Sequence, residues 1–360
     1  MSERSRAALV ATLAGVAAGW LALAVLVWIY GESPREVAGQ LIAGTWGMAY
    51  GVGQVLYKAT PLLLTGVAVD LALRAGLFNI GAEGQLAVAG LAVGTVGAAL
   101  PPATPAWIAL PVLVAVAPLA GAAWAGVPAV LRARYGAHEV ISTIMMNRIA
   151  DAAVGLTLAR GLALPGTVRT PDVVAGARLP RLEAFGLASL HGSAVSLALP
   201  LALVVAVLAT VWLARSRVGR ETVLVGLSPS ACAAERIPVA RRIGGALLLS
   251  GAVAGLASLA PVLGYKGYYE SGMGAGSGFG GIAVALLGRG NPLGLFLAAL
   301  LFGTLEQGGL AINARVPMEV MTVLQGVVIV AVALADARVR GFVGKSVAVS
   351  KRPQGARPTP

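Results

Sequence analysis

The stretch TPLLLTGVAVDLALRAGLFNIGAEGQLAVAGLAVGTVGAAL, residues 60–100, contains two apolar runs separated by a glycine-rich break. The runs cover 60–75 and 86–100, and the break between them carries three strongly polar residues, Asn79, Glu83 and Gln85. Such groups are costly in lipid and usually face the interior of a helical bundle or a water-filled path. The stretch therefore indicates membrane helices arranged around a polar interior.

The composition of the whole chain supports an integral membrane protein. Of the 360 residues, 58% are hydrophobic and only 12% are charged, whereas soluble domains have about 25% charged residues. The apolar runs are continuous, while the strands of a membrane β-barrel would alternate apolar and polar residues, so a barrel is disfavoured. We predict an all-α fold, a polytopic membrane bundle of about ten helical segments, some of them discontinuous.

The predicted spans follow the apolar runs of about membrane length. They lie near 7–30, 60–75, 86–100, 106–131, 139–159, 194–214, 243–262, 279–288, 293–312 and 318–335. Two of them, 60–75 and 279–288, are too short to cross alone, as expected for the broken helices that line transport sites. The weakly amphipathic segment 35–58 is predicted to lie at the interface or against the bundle.

The distribution of basic residues predicts the orientation. The loop 215–242 carries six arginines, and further basic residues lie at the N-terminus and after residue 338. By the positive-inside rule, this loop and both termini are cytoplasmic, and 161–193 is an external loop. The same rule explains the net charge of +12 more simply than nucleic-acid binding. We predict one permease domain over 1–340 and a disordered cytoplasmic tail over 341–360.

The sequence gives little support for an enzyme or a metal site. The chain has one cysteine and two histidines, and its acidic residues show no catalytic spacing. Gly344–Lys345–Ser346 resembles the end of a phosphate-binding loop, but no strand precedes it, and this match is weak. We expect no catalytic residue, no metal and no cofactor in this chain. If ATP drives the protein, another subunit binds it.

The loop 215–242 contains a second candidate site. A short alanine-rich helix, Pro229–Arg236, is predicted there, because Ser228 and the following proline are helix-start signals and Pro238 is a stop signal. This helix could be an ordinary connector. It could also dock into a groove on a soluble partner.

Four stretches in matching order resemble a known family. They are GLFNIGAEGQ (76–85), HEVISTIMMN (138–147), SPSACAAERIPVARR (228–242) with SGAVAGLA (250–257), and GFGGIAVALLGRGNPLG (278–294). Together they look like the permease subunit of bacterial ABC importers for nucleosides and simple sugars, within the branched-chain amino acid and ribose permease group. The resemblance covers roughly residues 55–335.

The resemblance implies partners and a location. It implies a multi-pass protein of the bacterial cytoplasmic (inner) membrane that works with a cytoplasmic ABC ATPase, a second permease subunit, identical or homologous, and an extracytoplasmic substrate-binding lipoprotein. ATP and Mg would be bound by the partner ATPase. Relatives usually read A-G-I where this chain has Glu235, Arg236 and Ile237.

The resemblance also implies the roles of particular residues. The residues of the translocation path or its gate would be Asn79, Glu83, Gln85, Asn147 and Phe279. The residues that couple to the ATPase would be Ser230, Ala233, Ala234, Glu235 and Arg236.

The polar residues within the spans have alternative roles that the sequence leaves open. Each could form an interhelical hydrogen bond that only holds the bundle together. An ion-coupled secondary transporter could use the intramembrane residues Glu83, Asp70 and Asp151 as a relay. A membrane scaffold without transport is a third interpretation, but it would have no need of broken spans.

Overall fold

The computed structural model describes residues 17, 20–317, 319–327 and 330. Within these residues the regular structure is helical, and the only strand-like pairings are two isolated bridges, Arg169 with Glu270 and Arg181 with Ser196. The chain divides into two compact units, 1–41 together with 309–360, and Ile42–Gly308. The start of the span predicted at 7–30 and the tail predicted over 341–360 lie outside the described residues.

The smaller unit contains the first apolar helix, α1 (Trp20–Ile29), and most of α2 (Pro34–Thr45). It also contains helical residues 319–327, within the span predicted at 318–335. The guanidinium of Arg315 pairs with Glu36 at 2.7 Å and with Glu32 at 3.3 Å. These ion pairs tie the segment after α12 to the α1–α2 region.

The larger unit contains the remaining α-helices, apart from the last residues of α12. In chain order they are α3 (Ala49–Arg74), α4 (Ala82–Ala99), α5 (Ala106–Tyr135), α6 (Glu139–Thr157), α7 (Ala198–Arg215), α8 (Arg217–Leu227), α9 (Pro229–Ala234), α10 (Val239–Leu256), α11 (Ser277–Gly288) and α12 (Pro292–Ile312). Six described helices are long and apolar enough to cross a membrane: α3, α4, α5, α7, α12, and α10 with its continuation to Lys266. The chain is therefore a multi-pass helical protein.

Helix α3 corrects one prediction. A short span at 60–75 and an interfacial segment at 35–58 were expected, but residues 49–74 form one helix of 26 residues with Pro61 inside it. Hydropathy missed its first half because that half includes polar residues such as Lys58. Proline has no backbone N–H, so the carbonyl four residues earlier, that of Tyr57, loses its helical donor. The Pro61 carbonyl itself accepts the Thr65 hydroxyl at 2.9 Å.

Helices α5 and α10 cross with their backbones in contact. A Cβ built on Gly251 would lie 2.6 Å from the Gly121 carbonyl oxygen, and one built on Gly255 would lie 3.2 Å from the Gly121 Cα. Small residues at a crossing allow this approach, which is how membrane helices gain packing energy without a hydrophobic driving force. The contact holds α10 against α5, and the helical turns after α10 continue to Lys266.

The short helix α11 agrees with the broken segment predicted at 279–288. It has only 12 residues, begins after Gly276 and ends before Arg289. A non-helical loop, residues 267–276, separates it from the helical turns that end at Lys266. Gly276 has φ +87, a left-handed conformation that favours glycine. Helix α11 is thus a discontinuous element of the bundle.

The segment predicted as an external loop, 161–193, folds onto the helices through short turns rather than a long helix. Two of its arginines are held by specific contacts. Arg169 pairs with Asp172 at 3.0 Å and stacks over the Tyr268 ring at 4.3 Å. The Arg178 guanidinium fills the space beside Gly267, 2.6 Å from where a Cβ would lie. These arginines therefore stabilise the loop locally.

Candidate functional site

Glu83 links the first turn of α4 to the start of α11. One carboxylate oxygen accepts the backbone N–H of Gly276 at 2.6 Å, and the other accepts that of Gly278 at 2.7 Å. The first N–H groups of a helix have no partner within it, and a negative charge there is stabilised by the helix dipole. Glu83 therefore caps α11 from a helix that lies nearly 200 residues away in sequence.

Asn79 and Gln85 form a buried amide pair. Asn79 Nδ2 donates to Gln85 Oε1 at 3.0 Å, and Gln85 Nε2 donates to Asn79 Oδ1 at 3.2 Å. Asn79 also donates to the Ser250 hydroxyl at 2.8 Å, and that hydroxyl donates to the Ala68 carbonyl at 2.6 Å. The network connects the break at 76–85 to α3 and α10.

Asn147, on α6, holds the start of α4. Its Oδ1 accepts the N–H of Gly84 at 2.9 Å, and its Nδ2 donates to the Ile80 carbonyl at 2.9 Å. A Cβ on Gly84 would lie 3.0 Å from the Asn147 Cα, so the approach of the two helices depends on this glycine. Asn147 therefore satisfies backbone groups in the break that lipid could not.

The structure separates these predicted path residues by their exposure. Asn79, Gln85 and Asn147 are buried and satisfied by neighbouring helices. Glu83 also lines an open cleft, whereas Phe279 is 51% exposed on α11 and lines neither this cleft nor its larger neighbour. The three amides thus bind backbone and side-chain groups of neighbouring helices, and Glu83 is the predicted residue that lines this cleft.

The cleft at Glu83 has a volume of about 180 Å³. Asp151, Tyr269 and Met273 are among its other lining residues. Glu83 and Asp151 thus face one space, but Asp70, the third acidic residue of the relay hypothesis, lies elsewhere and pairs with Arg74 at 3.5 Å. Asp151 also lies 3.8 Å from Arg148.

A larger cleft of about 340 Å³ lies on the other side of loop 267–276. Its ionisable and aromatic lining residues are Tyr57, Lys58, Tyr265, Lys266, Glu270 and Glu306. The rings of Tyr57 and Tyr265 are 5.2 Å apart and tilted by 53°. Polar and aromatic groups that converge in a concave site are typical of small-molecule binding.

Sequence reasoning missed most of this larger cleft. Glu306 was visible as an acidic residue within an apolar helix, and Lys58 stands two residues before a predicted span. Glu306 is recognisable from the sequence as a membrane-embedded charge, whereas Lys58 lies outside the predicted spans and gives no such signal. Ser271, Gly272, Met273 and Ala275 line both clefts, so loop 267–276 forms the wall between them.

Helix α9 is the predicted coupling element, and it begins and ends much as expected. The Ser228 hydroxyl accepts the N–H of Ala231 at 3.4 Å, and Pro229 occupies the first turn. At the other end, Ile237 N–H donates to the Cys232 carbonyl at 2.9 Å, and Arg236 N–H donates to the Ala233 carbonyl at 3.0 Å. This pair of bonds is the Schellman pattern that ends a helix.

The residues predicted to couple to an ATPase share one exposed surface. Cys232 packs inward, while Ser230, Ala233, Ala234, Glu235 and Arg236 are exposed. Arg236 has φ +59, a conformation usually taken by glycine. The helix thus presents small side chains followed by one negative and one positive residue.

Glu221 connects the helices on either side of α9, which are α8 and α10. Its carboxylate accepts the Arg217 Nε–H at 2.8 Å within α8 and contacts the guanidinium of Arg242, on α10, at 2.6 and 2.8 Å. Hydrogen bonds from Arg217 and Arg242 hold the pKa of Glu221 below its usual range. Two guanidinium nitrogens of Arg242 contact one carboxylate oxygen, Arg217 contacts the other, and such charge-assisted contacts are short and strong. Helices α8 and α10 therefore hold α9 between them.

Comparison with known proteins identifies the family of the chain. Residues 51–333 match the family described as branched-chain amino acid transport system / permease component. The chain belongs to this family of membrane permeases, whose members are subunits of transporters.

Individual relatives cover nearly the whole chain. The guanosine ABC transporter permease protein NupP of Bacillus subtilis is 37% identical over 94% of this chain and 95% of its own length. The glucose ABC transporter permease protein TsgB13 of Haloferax volcanii is 35% identical over 88% and 84%, respectively. The nucleoside ABC transporter permease protein NupB of Lactococcus lactis is 29% identical over 93% of both chains. No solved structure gives a significant match.

The chain is accordingly a permease subunit of an ABC importer, a system that also includes an ATPase and a substrate-binding protein. The comparisons do not favour the ion-coupled alternative.

Proposed function

We propose that this subunit forms the translocation path for nucleosides or related small polar solutes in the cytoplasmic membrane. The observation that carries the proposal is the 340 Å³ cleft in the larger unit, with two tyrosines and several charged groups converging among membrane helices. Charged side chains at such positions are retained where a solute or water must pass. The relatives named for guanosine, nucleosides and glucose support a small, polar, ring-containing solute.

Loop 267–276 is the gate in this proposal. It forms the wall between the two clefts, and Glu83 holds its end through Gly276 and Gly278. A movement of α4 relative to α11 would break these hydrogen bonds and join the clefts. Asn79, Gln85 and Asn147 would keep the start of α4 attached to its neighbours during that movement.

The energy for this movement comes from a partner ATPase, which binds ATP and Mg. The exposed helix α9 would dock into a groove of that ATPase through Ser230, Ala233, Ala234, Glu235 and Arg236. Its brace to α10 would carry the displacement to the membrane helices. Alternating access then follows from rocking of helices around the central clefts. A second permease subunit and an extracytoplasmic binding lipoprotein complete the proposed transporter.

The cleft is tested by uptake of labelled guanosine and glucose in cells that express the complete transporter. Glu306→Gln and Lys58→Gln should each lower the uptake rate, because they remove charges that line the cleft, while leaving the amount of assembled complex unchanged. Glu32→Gln, a matched change in the smaller unit, should have no effect, since Arg315 keeps its closer partner Glu36. Normal uptake by both cleft variants would refute the assignment.

The coupling assignment is tested separately. Ala234→Asp should place a charge on the exposed face of α9, leave the subunit in the membrane and abolish its co-purification with the ATPase. Deletion of 230–237 should do the same. Normal co-purification after either change would contradict the assignment, as would uptake that survives an inactive ATPase but is lost with the proton gradient.

A further inference from the structure

A third cavity lies on the outside of the bundle, among α3, α7 and α10. It has a volume of about 300 Å³, and its lining is almost entirely apolar: Leu71, Val205, Leu208, Ala209, Trp212, Leu249 and Val253. The helices around it are membrane spans by length and composition. No polar group converges in this groove, so it is unsuited to a nucleoside or a sugar.

One end of the groove is basic. Val205, Leu208 and Trp212 repeat at helical spacing on one face of α7, and the next residue on that face is Arg215 at the helix end. Arg220 folds back to the same place, since its Nη1 donates to the Arg215 carbonyl at 2.9 Å. Both arginines are exposed, and within the described chain neither has a carboxylate partner. Two cationic groups therefore lie one turn beyond Trp212.

We propose that this groove binds one acyl chain of a phospholipid with an anionic headgroup. The apolar lining would take the chain, Trp212 would lie at the headgroup level, where membrane tryptophans concentrate, and Arg215 and Arg220 would bind the phosphate. Charge complementarity selects this occupant: an apolar helix from another subunit would fill the groove but leave both arginines without an anion.

The bound lipid would also contact the coupling segment. Arg220 belongs to α8, which leads directly to α9, and Arg217 of the same helix binds Glu221. A headgroup held by Arg215 and Arg220 would attach the start of α8 to the bilayer surface. Such a lipid site is independent of which solute the transporter carries.

Fluorescence quenching by brominated lipids gives a direct test, because bromine on an acyl chain quenches tryptophan on contact. The full chain, with any subunits that co-purify, is titrated with brominated phosphatidylglycerol or brominated phosphatidylcholine. The contribution of Trp212 is the difference between the natural protein and Trp212→Phe. We expect both lipids to quench it, and phosphatidylglycerol to do so at a lower mole fraction, by about fivefold per arginine.

Matched variants separate the parts of the site. Arg215→Gln and Arg220→Gln should each reduce the preference for phosphatidylglycerol about fivefold, whereas Arg134→Gln, at the exposed end of α5, should not. Ala209→Phe should fill the groove and lower quenching by both lipids, while Val207→Phe, on the opposite face of α7, should leave it unchanged.

Three outcomes would overturn the proposal. Equal quenching by the two lipids would show that Arg215 and Arg220 do not bind the anionic headgroup. Loss of preference in Arg134→Gln as large as in Arg215→Gln would show only a general surface charge effect. Absence of Trp212 quenching by either lipid would show that protein, such as a second permease subunit, covers the groove.

Discussion

Gly226, at the end of α8, lies with its backbone against that of Gly76, at the end of α3. A Cβ built on Gly226 would lie 2.7 Å from the Gly76 nitrogen and would also clash with the Arg74 carbonyl oxygen. Gly76 itself has φ +72. The segment that carries α9 thus touches the glycine-rich break that leads to Asn79 and Glu83, with no side chain between the two backbones.

Gly226→Ala should therefore be destabilising. The added methyl group must separate two backbones that cannot yield locally, and overpacking of this kind costs about 1–3 kcal/mol. We expect a lower melting temperature in detergent and reduced uptake of solute by the complete transporter. Gly245→Ala is the matched control, because a Cβ at Gly245 would have no neighbour within 4 Å. A Gly226→Ala protein with normal stability and uptake would contradict the contact.

Arg236→Gly should stabilise α9. Arg236 occupies the left-handed position that ends the helix, with φ +59. At this position a residue with a Cβ has a higher free energy in the folded state than glycine. This difference exceeds the entropy that glycine adds to the unfolded chain. The expected gain is about 0.5–1 kcal/mol. It would appear as slower proteolysis of the segment or a higher melting temperature.

Arg236→Ala separates conformation from charge in that experiment. It removes the guanidinium but keeps a Cβ in the left-handed conformation, so it should not reproduce the gain in stability. If alanine and glycine behave alike, the backbone conformation of Arg236 is not the source of the effect. Weaker binding of the ATPase by both variants would instead report the loss of the exposed charge.

The elements that the sequence predicts best are those with local signals. Ser228 before α9 with Pro229 at its first position, and glycines before α11, mark the start of each helix within a few residues. Helix α3 was divided incorrectly, because a lysine such as Lys58 lowers the hydropathy of the segment. The sequence does not show that Lys58 lines a cleft together with Glu306, almost 250 residues later. Hydropathy averages over neighbours in sequence and has no access to such long-range contacts.

The long-range contacts of the candidate site were likewise not predictable from the sequence. Asn79, Glu83, Gln85 and Asn147 were recognisable as polar groups in apolar surroundings, but their partners were not. Asn79 binds Ser250, 171 residues away, and Glu83 binds Gly278, 195 residues away. Polar residues that only hold helices together and polar residues that line a path look the same in a sequence. Only the three-dimensional contacts distinguish the buried amides from Glu83, which lines a cleft.

Glu83→Ala should release the start of α11. The carboxylate holds the N–H groups of Gly276 and Gly278, and hydrogen bonds to a charged group contribute about 1.5–3 kcal/mol each. Hydrogen exchange at these two amides should accelerate by one to two orders of magnitude. Glu83→Gln keeps one acceptor oxygen and should show an intermediate effect.

Asp151→Asn is the control for Glu83, because Asp151 lines the same cleft without bonding these amides. It should leave exchange at Gly276 and Gly278 unchanged. If Glu83→Ala leaves that exchange unchanged as well, Glu83 does not cap α11 in the protein. If uptake falls in Glu83→Gln although exchange stays close to normal, Glu83 acts on the solute itself.

The contacts of Glu221 with Arg217 and Arg242 should make the stability of the segment that contains α8 and α9 depend on pH. Hydrogen bonds from Arg217 and Arg242 lower the pKa of Glu221 in the folded protein, so protonation is easier in the unfolded chain. The stabilisation is complete above the unfolded-state pKa of about 4.3. It is lost as the pH falls from there through the lower folded-state pKa.

Glu221→Gln should therefore lower the melting temperature at about pH 7, and the gap from the natural protein should narrow as the pH falls to about 3.5. Glu235→Gln, a matched change at an exposed position on the same segment, should show little difference at either pH. Melting temperatures in one detergent across this range measure both gaps. A Glu221 gap that stays constant, or widens on acidification, would mean that its ionisation does not stabilise the contact between α8 and α10.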